Sequence, residues 1–340
     1  GKQKGMAKME NRQFSAFVVS AQDDKTYKRE ITTRTIEDLP EGDVLVRVSY
    51  SSLNYKDALS AIGNKGVTRH YPHTPGIDAA GVVAESKSGA LEPGDEVIVT
   101  SYDLGMDTDG GFAEYIRVPA DWVVPRPDGL TLKEAMIYGT AGFTAGLSVN
   151  ALVQEVKPEH GEVLVTGASG GVGSMAVSIL TKLGYQVAAV EGMTEDRDYL
   201  TRLGVKEIIS RDDAVDTSGR PILKARWAGG IDSLGGEILA TAIKSTKLGG
   251  TITCCGNAAS GDLPLTVYPF ILRGVRLVGI DSQHCPMPLR TKIWEKLAGE
   301  WKLDGLADLG TEIRMENLNE SIEQMLAGRS QGRKVVKISG

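Results

Sequence analysis

The sequence predicts an α/β protein in two parts, a β-rich front half followed by a doubly wound parallel sheet. Three observations carry this expectation. The stretch Glu162 to Glu191, EVLVTGASGGVGSMAVSILTKLGYQVAAVE, reads as strand, glycine-rich turn, helix and strand. From there, apolar runs at 162–167, 187–191, 206–210, 230–234, 250–256 and 275–280 alternate with helical stretches, a helix following each of the first five. Ahead of Leu130 the pattern is different, with many short strands punctuated by Pro and Gly.

The front half begins with FSAFVVS (Phe14 to Ser20) as a first strand. Pro40-Glu41-Gly42-Asp43 is turn chemistry leading into the alternating strand Val44 to Val48. SSLNYKDAL (Ser51 to Leu59) follows, then a loop with His70 and the run Pro72-His73-Thr74-Pro75-Gly76-Ile77-Asp78. Ala79 to Ala84 is small and apolar, as in a tightly packed strand. Pro93-Gly94-Asp95 turns into Glu96 to Thr100, and a polar loop leads to Phe112 to Val118. Leu132 to Ala151 has a helical pattern broken by Gly139 and Gly142. Past the sixth run come a Trp-bearing amphipathic helix (Arg290 to Trp301), a helix around Asn317 to Leu326 and a strand from Lys334 to Ile338. Asn317 is placed to cap its helix, with Glu320 completing a capping box.

Composition narrows the function classes. The chain has 340 residues, 41% hydrophobic and 24% charged, enough for a large core and two domains, and no apolar run reads as long enough to cross a bilayer. A net charge of −6 and a pI near 5.4 argue against nucleic acid or an anionic membrane as main partner. Cys254, Cys255 and Cys285 lack zinc-ligand spacing and are too few for a disulfide framework, which suggests a reducing, cytoplasmic setting. Residues 1–13 are polar, read as neither signal peptide nor anchor, and stay outside the fold argument.

The glycine-rich stretch points to a dinucleotide. Gly170 lets the backbone approach a pyrophosphate, Gly173 lets the helix pack close to its strand, and the helix N-terminus offers N–H groups to the anion. Glu191 falls 18 residues after Gly173, at the end of the second strand, where an acid usually bonds a ribose 2′-hydroxyl and repels a 2′-phosphate. That favours NADH.

SSLNYKDAL, PGIDAAG, GTAGFTA (Gly139 to Ala145), GASGGVGS and PFILRG (Pro269 to Gly274) resemble the quinone oxidoreductase branch of the medium-chain dehydrogenase/reductase superfamily, in particular its YhdH/AcuI-type acryloyl-CoA reductases. The resemblance implies a GroES-like catalytic domain (14–137 with 283–340) and a Rossmann domain (138–282). It implies NADPH as cofactor, a homodimer, and an enoyl-CoA or quinone as small-molecule substrate. Some relatives of this type carry Ser-Gly-Arg where this chain has Glu191-Gly192-Met193, so the resemblance and the local chemistry disagree about the 2′-phosphate.

By resemblance the cofactor contacts are Tyr55, Ser169, Gly170, Gly171, Val172, Gly173, Glu191, Gly192, Met193, Arg211, Asn257, Ile271, Ser282 and Gly328. The catalytic candidates are Asn54, Tyr55 and Lys56, hydrogen-bond donors that could stabilise negative charge developing on a thioester or quinone oxygen. Asp57 is expected to cap a helix. Where zinc-dependent alcohol dehydrogenases place Cys, His and Cys, the equivalent-looking residues are Asn54, Ile77 and Ala141, so no metal is expected. His70 and His73 read as loop histidines. Lys65, Arg69 and Arg290 are candidates for coenzyme A phosphates if the fold brings them to the site. The opposing reading is a cofactor-binding relative without enzymatic activity. A short-chain dehydrogenase is excluded, because none of the ten tyrosines has Lys four residues on.

Overall fold

Strands buried on one face alternate apolar and polar residues, whereas strands buried on both do not, and both kinds occur here. The computed structural model describes residues 12–192 and 196–339. It divides the chain into two units: one holds the chain up to Thr140 with Gln283–Ala298 and everything from Gly305, the other Ala141–Ser282 with Gly299–Asp304.

The first unit opens with a hairpin of β1 (Gln13–Ala21) and β2 (Tyr27–Thr35). The sequence reading missed β2, whose mostly exposed YKREITTRT carries little apolar signal. Next come β3 (Val44–Leu53), α1 (Tyr55–Ala61), β4 (Asp78–Ser86), β5 (Glu96–Thr100), β6 (Tyr115–Val118) and β7 (Val123–Pro125). Val44, Val46 and Val48 of β3 meet Val97 and Val99 of β5 and Ile116 and Val118 of β6 in one core, as a period of two requires. Leu45, on the opposite face, packs with Phe14, Ala16, Val18 and Tyr115.

Helix α2 (Leu132–Val153) is two helical stretches joined at Gly139 (φ 54°, ψ −159°). Gly142 does not interrupt it. This helix corrects the expectation that nothing here matches a bilayer: its best window has mean hydropathy 1.2, but 78% of that window is buried inside the protein.

The second unit contains β8 (Val163–Thr166), α3 (Gly171–Lys182), β9 (Val187–Val190), α4 (Arg197–Arg202), β10 (Glu207–Ile209), β11 (Trp227–Asp232), α5 (Gly236–Lys244), β12 (Thr246–Cys254), α6 (Tyr268–Arg273) and β13 (Arg276–Gly279). The strands form a six-stranded parallel sheet ordered β10-β9-β8-β11-β12-β13. Every residue of β8, β9 and β11 is buried, which explains their uninterrupted apolar runs. One expected helix is absent. Between β10 and β11 the chain makes turns held by Ser210, Asp216 and Ser218, with Gly219 at positive φ and Pro221 behind it, residues that favour turns over helix.

The chain then contributes α7 (Met287–Ala298), β14 (Gly310–Arg314), α8 (Leu318–Leu326) and β15 (Arg333–Lys337) to the first unit. Its seven-stranded sheet runs β14-β15-β3-β4-β5-β7, with β6 paired to β3. Asn317 does not cap α8 through its side chain as expected; its Oδ1 accepts from the Arg314 N–H at 3.0 Å, closing the turn before the helix.

Candidate functional site

In the sheet of the second unit the strand order reverses between β8 and β11, the place where doubly wound sheets bind ligands. The turn from β8 to α3 lies at this switch point. Gly167 takes φ +64°, and a Cβ on Gly173 would lie 2.1 Å from the Gly167 carbonyl oxygen, so close helix–strand packing demands glycine there. Ser169, Gly171 and Val172 are half-buried and Gly170 is exposed. Such a first turn presents N–H groups without intrahelical partners, a cradle that fits a pyrophosphate.

Glu191 adds what the sequence could not show. It is buried, and its carboxylate is folded back on the turn. Oε2 accepts from the Ser169 N–H at 2.9 Å and from the Ser169 hydroxyl; Oε1 accepts from the Gly192 N–H at 2.8 Å. The Arg211 side chain lies over Gly192, with Cδ and Nε each 3.3 Å from where a Cβ would stand. The ends of β9 and β10 thus bring Glu191, Gly192 and Arg211 to one spot beside the turn. Met193 lies outside the described residues.

Asp232, at the end of β11, went unnoticed in the sequence because it is one acid inside an apolar run. It accepts from the Thr166 hydroxyl at 2.6 Å and the Gly235 N–H at 2.8 Å, while Ser233 Oγ donates to the Thr166 carbonyl, tying β11 to the start of the turn. Burial raises its pKa, and those donors partly offset the effect. Asn257 is exposed after β12; Ile271 is 67% exposed on α6, which removes it from the core; Ser282 follows β13. Burial pushes the Cys255 thiol up to about 12, an unreactive state.

Gly328 belongs to the first unit, and local structure accounts for it. At φ +71° it ends α8, with the Arg329 N–H returning to the Gln324 carbonyl at 2.8 Å, a Schellman stop.

The first unit carries Asn54, Tyr55 and Lys56 where β3 gives way to α1. Tyr55 is 57% exposed and Lys56 is exposed. Asn54 is not a free donor. Its Nδ2 donates to Asp78 Oδ2 at 2.8 Å and Asp57 Oδ2 at 3.4 Å, and its Oδ1 accepts from Arg333 Nη1 at 3.1 Å. Asp57 does cap, accepting from the Asn54 N–H at 2.8 Å, but it is fully buried and also accepts from the Ile77 N–H at 2.9 Å. Burial first, and then the charge of Asp78, raise its pKa to about 7. The Asp78 carboxylate further accepts from Ser52 Oγ, from the Thr140 N–H at 2.9 Å and from the Thr140 hydroxyl.

Arg290 was a candidate for coenzyme A phosphates. It is instead wholly buried, donating to the Thr100 carbonyl at 2.8 Å and lying over the Tyr102 ring. Lys65 stands over the rings of Tyr27 and Tyr71, and Arg69 is exposed. His73 is buried with a ring nitrogen 2.9 Å from the Gly105 carbonyl oxygen, and burial lowers its pKa; His70 is exposed. Among the described residues no group of three or more His, Cys, Asp or Glu is placed to hold a metal ion.

A seven-stranded β unit together with a six-stranded parallel sheet that carries a glycine-rich turn at its switch point is the build of dinucleotide-dependent dehydrogenases and reductases. Residues 40–128 match the alcohol dehydrogenase GroES-like domain family and residues 171–298 the zinc-binding dehydrogenase family. The chain is 48% identical over 310 residues to the Bacillus subtilis protein YhfP, spanning 91% of this chain and 94% of that protein. A solved structure of YhfP with NAD bound covers 96% of this chain and all of that one with a TM-score of 0.93. The acrylyl-CoA reductase AcuI of Ruegeria pomeroyi is 44% identical over 96% of this chain and 99% of its own length. The yhdH oxidoreductase of Salmonella enterica, solved in complex with NADP, is 43% identical with a TM-score of 0.92, covering 96% of this chain and all of that one. The chain belongs to the medium-chain dehydrogenase/reductase superfamily, in its YhdH/AcuI/YhfP quinone oxidoreductase-like branch.

Proposed function

We propose that the protein is a zinc-independent, NAD(P)H-dependent reductase of an activated carbon–carbon double bond, of the acrylyl-CoA kind, or of a quinone. The single observation behind this reading is the 44% identity to an acrylyl-CoA reductase over nearly the full length of both chains. When bound, a reduced nicotinamide supplies the hydride. The N–H groups of Gly171, Val172 and Gly173 in the first turn of α3 hold the pyrophosphate, while the Ser169 N–H is committed to Glu191. The exposed Tyr55 hydroxyl and Lys56 ammonium act as donors to the substrate oxygen on which charge gathers. Asn54, its amide committed to Arg333 and two carboxylates, orients this turn and does not itself donate to substrate.

NADPH is the preferred cofactor in this reading. Three donors hold the Glu191 carboxylate toward the turn, which leaves Arg211 as the charged group facing the place of a 2′-phosphate. Asn257 adds a polar contact from the end of β12. The enzyme is cytoplasmic and forms a homodimer through its second unit. The test is kcat/KM for NADPH and NADH, each with acrylyl-CoA and with a quinone. A higher value with NADPH and acrylyl-CoA is expected; binding of either cofactor without turnover on any enone or quinone would leave a non-enzymatic binding protein.

A further inference from the structure

The hydrogen bonds beneath the Asn54–Tyr55–Lys56 turn do more than cap a short helix. Every partner of the Asp57 carboxylate is an N–H donor: Ile77 N at 2.9 Å on Oδ1, and Asn54 N at 2.8 Å with Asn54 Nδ2 at 3.4 Å on Oδ2. None of the three can accept a proton. An ionised Asp57 satisfies all of them with charge-assisted bonds, whereas a protonated one accepts more weakly and brings a hydroxyl proton for which none of these partners is an acceptor. We propose that Asp57 is a positioning residue for the reductase reaction: as the anion it clamps the first turn of α1, and with it Tyr55 and Lys56, onto Ile77 and Asp78, and on protonation that turn loosens.

The inference rests on the reading of Tyr55 and Lys56 as donors. Asp78 is held by Ser52, Asn54 and both donors of Thr140, and Thr140 Oγ1 is in turn 2.9 Å from Ser101 Oγ. The titratable and charged groups around Asp57 come from several elements. Asp78 comes from β4 and Arg333 from β15, acting through Asn54, while the Tyr71 hydroxyl donates to the Ser60 carbonyl of α1. Helix α8 contributes Leu318 and Ile322 to the apolar cluster holding Ala58 and Ala61, and its Glu323 pairs with Arg29. Burial and the Asp78 charge favour the neutral acid while three N–H donors favour the anion, and the balance falls at a pKa of about 7.

Two properties then move in opposite directions through one pH window. From about pH 4 to about 7 a pKa near 7 keeps on the folded Asp57 a proton that the unfolded chain has released, so the contribution of Asp57 to stability falls as pH rises. Turnover rises over the upper part of that window as the turn tightens. A residue with a structural role alone would not couple the two.

The experiment compares wild type with Asp57→Asn, measuring Tm and the kcat and KM of the reductase reaction from pH 5 to 9. Wild type should lose turnover several-fold below pH 7, in kcat more than KM, with Tm highest at the acid end. Asp57→Asn should show a low kcat without the acid limb and a Tm with a smaller pH slope. Should Asp57→Asn not fold, Asp78→Asn removes the neighbouring charge and should move the acid limb to lower pH. An active wild type whose acid limb survives unmoved in these variants overturns the inference alone. A wild type inactive at every pH overturns the reductase reading and this inference with it.

Discussion

At the residue scale, the proposed cofactor preference turns on Glu191 and Arg211. From sequence alone, an acid at the end of the second strand repels a 2′-phosphate. In the structure its charge is partly compensated by the Ser169 and Gly192 N–H groups and the Ser169 hydroxyl, which weakens the repulsion the local rule relies on. A charge-assisted contact from Arg211 to the phosphate is worth roughly 1–3 kcal/mol. Arg211→Ala should therefore lower kcat/KM for NADPH by about tenfold or more and leave NADH nearly unchanged, as steady-state kinetics with both cofactors would show. An equal effect on both cofactors would remove Arg211 from the 2′-phosphate. Tyr55 is tested the same way. Tyr55→Phe keeps the ring and removes the donor, so kcat should fall by about ten- to a hundredfold with cofactor affinity little changed.

At the element scale, the kink in α2 shows why much of the site was legible and part was not. Gly139 was visible as a break in a helical pattern, but its reason is tertiary. A Cβ there would stand 2.5 Å from Asp78 Oδ2, 2.6 Å from Arg333 Nη2 and 2.7 Å from Ser52 Oγ, at a positive φ that L-residues avoid. Gly139→Ala should cost about 3 kcal/mol or more, read as a drop in Tm with loss of turnover. An alanine variant as stable as wild type would show that the cluster has room to shift. The glycine turn, the buried strands and the NYKD motif announce themselves through local chemistry and spacing. Arg333 and Asp78 lie 255 positions apart and meet only through the pairing of β15 and β4 with β3, so no window of sequence links them. The same limit explains Asn317. Its side chain had two backbone turns to serve, and spacing could not reveal that it would close the one before its helix. Removing it is a mild test: Asn317→Ala should cost roughly 1 kcal/mol, measured by chemical denaturation.

At the scale of the whole molecule, the parallel sheet leaves two edges, and they differ in chemistry. The β10 edge is three residues long and runs into Ser210, Arg211, Asp212 and Asp213, a polar turn that discourages pairing. The β13 edge follows α6, where Tyr268, Ile271 and Leu272 are 46%, 67% and 59% exposed, with Val267 just ahead of the helix 62% exposed. Leu263, on the preceding loop, is 39% exposed. An unpaired strand beside so much exposed apolar side chain is costly for a free monomer and suits an isologous contact, in which the same edge and helix of a second copy meet it about a two-fold axis. Sedimentation velocity should therefore give a dimer of about 73 kDa, twice the 36.3 kDa chain. Leu272→Glu puts a charge into the apolar patch without touching the glycine turn, so it should shift the protein toward monomer while the cofactor dissociation constant stays within about twofold. A wild-type monomer at micromolar concentration, or a dimer indifferent to Leu272→Glu, would mean that the β13 edge is covered in some other way.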